Sequence, residues 1–156
     1  VTLSPYMGRD AVEPFLRKNK WIILLLATSN PSADTIQNII TDSGKPLYLE
    51  LVNEINNWGS ASNMMFVVGA NRLVEMSEIR REAPNHFFLV PGVGAQGGSL
   101  EKVCAYGFSE NCGLLVNSSR SIIYAGAEKD FLDHVRSECV QVQKKMEEIL
   151  RNRNFI

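Results

Sequence analysis

The feature that most constrains this chain is a repeated alternation of short β-type apolar runs with longer stretches of helical periodicity. Trp21 to Ala27, Met65 to Gly69, Phe87 to Val90 and Gly113 to Asn117 read as strands, and strands apolar on both faces are those buried between two layers. Val1 to Ser4 adds the stub of another. The order is βα about five times over, which implies a parallel sheet covered by helices. Two architectures fit: an open doubly wound sheet, or part of an eightfold barrel. A full barrel takes roughly 250 residues, so the 156 present hold about five of eight units.

The intervening segments carry matching signals. A short amphipathic helix is expected through Ala11, Val12, Phe15 and Leu16. Residues 32–45 are polar and turn-rich. Pro46 suits an early helix position, with Leu47, Leu51, Val52 and Ile55 as the apolar face up to Trp58-Gly59. A helix from about Arg72 turns Leu73, Met76 and Ile79 inward and stops before Pro84. Ser99 is a natural N-cap for a helix containing Leu100 and Val103. The last helix, about Asp130 to Arg151, carries Leu132, Val135, Cys139, Val142, Met146 and Ile149 as one stripe, expected to pack against the sheet.

Composition narrows the function. With 45% hydrophobic and 21% charged residues and a net charge of -1, the chain reads as one soluble globular domain rather than a disordered tail. It lacks the basic excess of a general nucleic-acid binder. No apolar run approaches the roughly 18 residues of a membrane span, and Val1 to Pro5 does not open like a secretory signal. The first residue is valine and the first methionine is Met7, as expected of a trimmed, processed or incomplete sequence. Three cysteines, Cys104, Cys112 and Cys139, lack metal-type spacing, and read as buried or incidental thiols in a reducing cytosol. His86 and His134 are expected at the surface, neither with a metal role.

In parallel α/β folds ligands sit at the C-terminal ends of strands. Those ends read Ser4-Pro5-Tyr6, Thr28-Ser29-Asn30-Pro31, Gly69-Ala70-Asn71, Pro91 to Gly98, and Asn117-Ser118-Ser119-Arg120. They are rich in hydroxyls, amides and glycine, and poor in carboxylates. The glycine loop Pro91 to Gly98, Gly97 included, lets backbone approach an anion closely just before a helix begins at Ser99. Gly92-x-Gly94-x-x-Gly97 also fits a dinucleotide fingerprint, but the next strand ends in Asn117-Ser118 without the acidic residue that pattern requires, which disfavours a nicotinamide enzyme. Arg120 ends the following strand, beside the glycine loop in a parallel barrel, where its planar fork suits a phosphate dianion. Its plainer reading is a surface charge paired with a helix acid. Ser29 and Asn30 could bond a polar ring such as a pyrimidine, or simply form a turn before Pro31. Ser4 and Asn71 are weaker candidates. Neither histidine falls on a strand end, so no Ser/His/Asp arrangement can be assembled.

Taken together, Pro91 to Gly98, Gly113 to Ala125 and Ala27 to Pro31, with Val1 to Gly8 before them, resemble orotidine 5'-phosphate decarboxylase, most closely its bacterial branch. The likeness runs from Val1 to about Leu150. It implies a (β/α)8 barrel of which this chain covers about strands 4–8: the C-terminal part of a single TIM-barrel domain, with strands 1–3 absent. It implies decarboxylation of orotidine 5'-monophosphate to UMP in pyrimidine biosynthesis, without metal or organic cofactor, in a cytoplasmic homodimer. By the resemblance Ser29 bonds the pyrimidine, Gln96 reaches across to the phosphate, Arg120 with the Ser119 N–H holds it, and Pro91 to Gly98 is the loop that closes over the ligand. Remote phosphate binding can then order the closed site.

One departure is large. The family's reacting residues form an Asp-x-Lys-x-x-Asp motif, and no lysine in this chain has an aspartate two positions before it. The motif is expected upstream of Val1, so the chain holds binding residues and no catalytic ones, and alone is expected to be inactive. Two alternatives stay open: a non-catalytic phosphate-binding half-barrel module, and another phosphate-binding barrel enzyme.

Overall fold

The five β-type runs form one parallel sheet in the order of the sequence. The computed structural model describes residues 1–94, 97–127 and 129–156. Strands β1 (Thr2–Leu3), β2 (Ile22–Ala27), β3 (Met64–Val68), β4 (Phe87–Pro91) and β5 (Leu114–Asn117) lie side by side as β1-β2-β3-β4-β5, every neighbouring pair parallel. A doubly wound sheet reverses its order at a switch point. None occurs among the described strands, so the winding is that of a barrel wall.

Register explains the packing. Leu24, Phe66, Phe88 and Leu114 are consecutive partners across four strands, and all four are buried. Successive residues of a strand point to opposite faces, so this row marks one side. There it packs with Tyr48, Val52 and Ile55 of α3 (Leu47–Ile55), Met76 and Ile79 of α4 (Leu73–Glu82), and Leu100, Val103 and Cys104 of α5 (Leu100–Gly107). The adjacent row, Leu25, Val67, Leu89 and Leu115, lies on the other face, and Leu115 is 49% exposed. The strands are apolar on both faces, as expected: helices cover one, and on the other, the inner face of a barrel wall, Val67 is buried while Leu115 of the edge strand β5 is exposed.

The connections differ from expectation where local rules yield to tertiary contacts. The first helix is split into α1 (Arg9–Val12) and a 3-10 turn, Glu13–Phe15, because Pro14 cannot donate a helical hydrogen bond. Within residues 32–45 lies a short helix, α2 (Asp34–Gln37), entered through a 3-10 turn at Pro31–Ala33. Ser99 caps α5 as expected, its Oγ accepting the Lys102 N–H at 3.3 Å. After α6 (Arg120–Ile123), the long α7 (Phe131–Asn152) packs on α5 and α6 rather than on the sheet. Its stripe is anchored at the C-terminal end, where Met146 Sδ meets Cys104 Sγ at 3.8 Å, while Leu132 is 66% exposed.

His86 is not at the surface. It is buried and stacks on Phe66 with ring centroids 4.8 Å apart, because it lies two residues before Phe88 on the same face. Beside it the Arg80 guanidinium, also buried, donates to the carbonyls of Gly107 (2.9 Å), Ala83 (3.1 Å), His86 (2.6 Å) and Gly113 (3.0 Å) and covers the Phe88 ring at 3.7 Å. Desolvation pulls its pKa down to about 10. This clamp joins α4 and α5 to the starts of β4 and β5, at the end of the sheet opposite the strand ends rich in hydroxyls and amides.

Candidate functional site

A cleft of about 220 Å³ opens at the C-terminal ends of the strands, lined by Ser29, Pro91, Gly92, Val93, Asn117, Ser119 and Arg120. The fold gathers these residues for a simple reason. Pro91 and Asn117 are register partners at the last rung of β4 and β5, and the segments leaving both strands turn over the sheet edge into the same space. Arg120 stands at the start of α6, three residues beyond β5.

The glycine loop is closed on itself. Gly92, Gly94 and Gly97 have φ of 96°, 87° and 77°, left-handed conformations that glycine adopts without a Cβ penalty. The Gly94 N–H donates to Gly98 O at 3.1 Å and the Gly97 N–H to Gly94 O at 2.8 Å. Gly98 is required for another reason: a Cβ there would come within 2.4 Å of the Ala70 Cβ. The Ser118 hydroxyl donates to Val93 O at 3.1 Å and accepts from the Ser121 hydroxyl at 2.7 Å. The loop is thus fastened to the turn that carries Ser119 and Arg120.

Ser29 reaches the cleft from the other side. It is pressed against Gly69, where a Cβ would lie 2.9 Å from the Ser29 Cβ, and its carbonyl accepts from Asn71 Nδ2 at 3.4 Å. Asn30 does not line the cleft. Its Oδ1 accepts from Thr28 Oγ1 at 2.5 Å and its Nδ2 approaches Ser32 Oγ at 3.4 Å. Gly97 shapes the loop without lining the cleft, and Gln96 lies outside the described residues. Ser4 lines a separate, mostly apolar cleft with Tyr6, Leu25, Ile36 and Gln37. Asn117, which the sequence places at a strand end without a role of its own, lines the cleft. It accepts from Ser119 Oγ at 3.0 Å through Oδ1, which leaves its amide N–H groups for a ligand.

The electrostatics favour an anion. Arg120 is the one cation among the lining residues, none of which is a carboxylate, and no described acid forms an ion pair with it. A guanidinium, hydroxyls, an amide and glycine backbone suit a phosphate with a polar, uncharged group attached. Among the described residues no cluster of three or more His, Cys, Asp or Glu is arranged to hold a metal. No described helix is long and apolar enough to cross a membrane.

No family model matches the chain. Curated proteins do. Orotidine 5'-phosphate decarboxylase of Phocaeicola vulgatus is 47% identical over 151 residues, 96% of this chain and 56% of the relative. That of Flavobacterium johnsoniae is also 47% identical, over 96% of this chain and 55% of its own length. The chain therefore spans little more than half the length of these curated relatives. Among solved structures, Leishmania donovani UMP synthase superposes with a TM-score of 0.76 at 34% identity, over 91% of this chain and 32% of that one. The OMP decarboxylase of the same organism gives 0.75 at 29%, over 92% and 55%.

Proposed function

We propose that this chain, homologous along nearly its whole length to orotidine 5'-phosphate decarboxylases, is the phosphate- and pyrimidine-binding portion of such an enzyme. The observation that carries the reading is the cleft itself, where Arg120 and the glycine loop face Ser29 across a wall free of carboxylates. Its volume is below the roughly 300–1,000 Å³ usual for a small-molecule site, which fits one wall of a larger site.

In this reading Arg120, the Ser119 N–H and loop backbone bind the 5'-phosphate of orotidine monophosphate. Ser29 bonds the pyrimidine, and Gln96 bridges from the loop to the phosphate. The reaction breaks the bond from C6 to its carboxylate, releases CO2 and puts a proton on the carbon that keeps the electron pair, giving UMP. The residues of this chain bind and orient. The aspartates and lysine that would surround the departing carboxylate do not occur among them as the expected motif, so we assign that step to sequence beyond these 156 residues. Strands four to eight of the barrel would be β1 to β5.

A homodimer in the cytoplasm belongs to the same proposal. Tyr6, Ile36 and Ile39 are each more than half exposed and line the separate, mostly apolar cleft, and exposed apolar surface of this kind supports a contact face there.

Calorimetry separates this function from other phosphate-binding barrels. UMP is expected to bind this chain more tightly than ribulose 5-phosphate, and the reverse order would overturn the reading. Incubation with orotidine monophosphate is expected to show no loss of substrate absorbance, and turnover by the chain alone would contradict the assignment of roles.

A further inference from the structure

The path of the chain just past β2 is held by side chains rather than by the sheet. Pairing with β3 shifts register between Leu25 and Ala27, and the Gly69 N–H bonds Ala27 O at 2.7 Å. The next residue, Thr28, finds its partners elsewhere. Its N–H donates to Gln37 Oε1 at 2.9 Å, and its Oγ1 accepts from Gln37 Nε2 at 2.9 Å. That hydroxyl donates its own proton to Asn30 Oδ1 at 2.5 Å. Its carbonyl accepts from Arg72 Nε at 2.9 Å. Arg72 is in turn held by Glu75 at 3.0 Å and by Asp34. Asp34 and Gln37 are three apart on α2, so one side of this four-residue helix faces the end of β2.

We propose that Gln37 is a positioning residue for the ring-binding end of the cleft. Its amide fixes Thr28 through two hydrogen bonds and thereby sets the placement of Ser29 and Asn30. This rests on the nucleotide reading of the cleft. The hydrogen bonds have a direction: Gln37 donates to the Thr28 hydroxyl, and that hydroxyl donates to Asn30. An ionised glutamate at position 37 keeps the acceptor for the Thr28 N–H but cannot donate, so the Thr28 hydroxyl turns to the carboxylate and the Asn30 Oδ1 loses its donor. A leucine removes both bonds. Arg120 is untouched by either change, so the phosphate end serves as the internal control.

Hydrogen exchange by NMR on the full chain, with Gln37→Leu and Gln37→Glu, tests the positioning without any ligand. In Gln37→Leu the Thr28 amide is expected to exchange about tenfold faster, in line with one lost hydrogen bond. In Gln37→Glu that amide stays protected while the Asn30 side-chain amide resonances move. Unchanged Thr28 exchange in the leucine variant would overturn the proposal. A second arm compares ligands: UMP affinity is expected to fall roughly five- to tenfold in Gln37→Leu, with ribose 5-phosphate affinity unchanged. An equal fall for both would mean a general loss of structure and would also overturn it. If the unaltered chain binds ribose 5-phosphate but gains nothing from the uracil of UMP, the nucleotide reading fails, and the exchange arm still decides whether Gln37 holds the strand end.

Discussion

Gly69 shows how a single hydrogen atom sets the position of Ser29, whose hydroxyl we propose to bind the ligand. The ends of β2 and β3 approach so closely that a Cβ at residue 69 would meet the Ser29 Cβ at 2.9 Å and the Ser29 nitrogen at 3.0 Å. Gly69→Ala is therefore expected to leave the core intact and displace Ser29. UMP binding should weaken about tenfold, the worth of one hydrogen bond in the upper range, while ribose 5-phosphate binding should not. Titration calorimetry on the variant checks both. Sequence reasoning reaches Ser29 because it sits where a parallel strand ends, yet cannot see Gly69 press on it. That contact joins residues far apart in the chain and leaves no local pattern. Asn30 illustrates the converse: its type and position suit a ring contact, but the neighbouring Thr28 hydroxyl engages its carbonyl oxygen first.

At the scale of elements, α4, α5, β4 and β5 are locked by one guanidinium. Arg80 falls on the Met76–Ile79 stripe of α4, a signal in the sequence that this arginine points inward, and it satisfies carbonyls at both ends of that corner. Arg80→Met keeps the stem and removes the donors. It should cost several kcal/mol, at roughly 1–3 kcal/mol for each buried carbonyl left unpaired, read as a lower urea midpoint.

His86 adds a pH dependence to the same corner. Burial, and then the Arg80 charge, hold its pKa below the ordinary 6.5, and among the described residues neither ring nitrogen has a hydrogen-bond partner. The unfolded chain therefore binds a proton at a higher pH than the folded one. Stability is fully present above about pH 6.5 and falls as pH drops from there toward the lower folded pKa. Urea midpoints measured on both sides of that pH should diverge in the native chain and move closer together in His86→Phe. Equal divergence in the two would contradict the assignment. The burial of His86 is legible in its alternation with Phe88 and Val90. The helix α2 is not, since four residues held by Gln37 and Asp34 contacts have no periodicity of their own.

For the whole molecule, the alternation of β-type and helical runs is enough to imply a parallel sheet, and the sequential strand order then decides for a barrel wall. A strand lining a barrel and a strand between two helical layers are equally apolar, so only the arrangement of helices on one side separates them. The long α7 misleads for a related reason: a stripe shows which side of a helix is apolar, not what it meets.

The central claim is that the top of this sheet binds a nucleoside monophosphate between Ser29 and Arg120. Amide chemical-shift mapping with UMP tests it most directly. Saturable shifts at Ser29, Gly92, Asn117, Ser119 and Arg120 are expected, with affinity lower by roughly 10- to 100-fold in Arg120→Ala, the range for a charge-assisted hydrogen bond. Shifts confined to the Arg80 end of the sheet, or equal binding by Arg120→Ala, would contradict it.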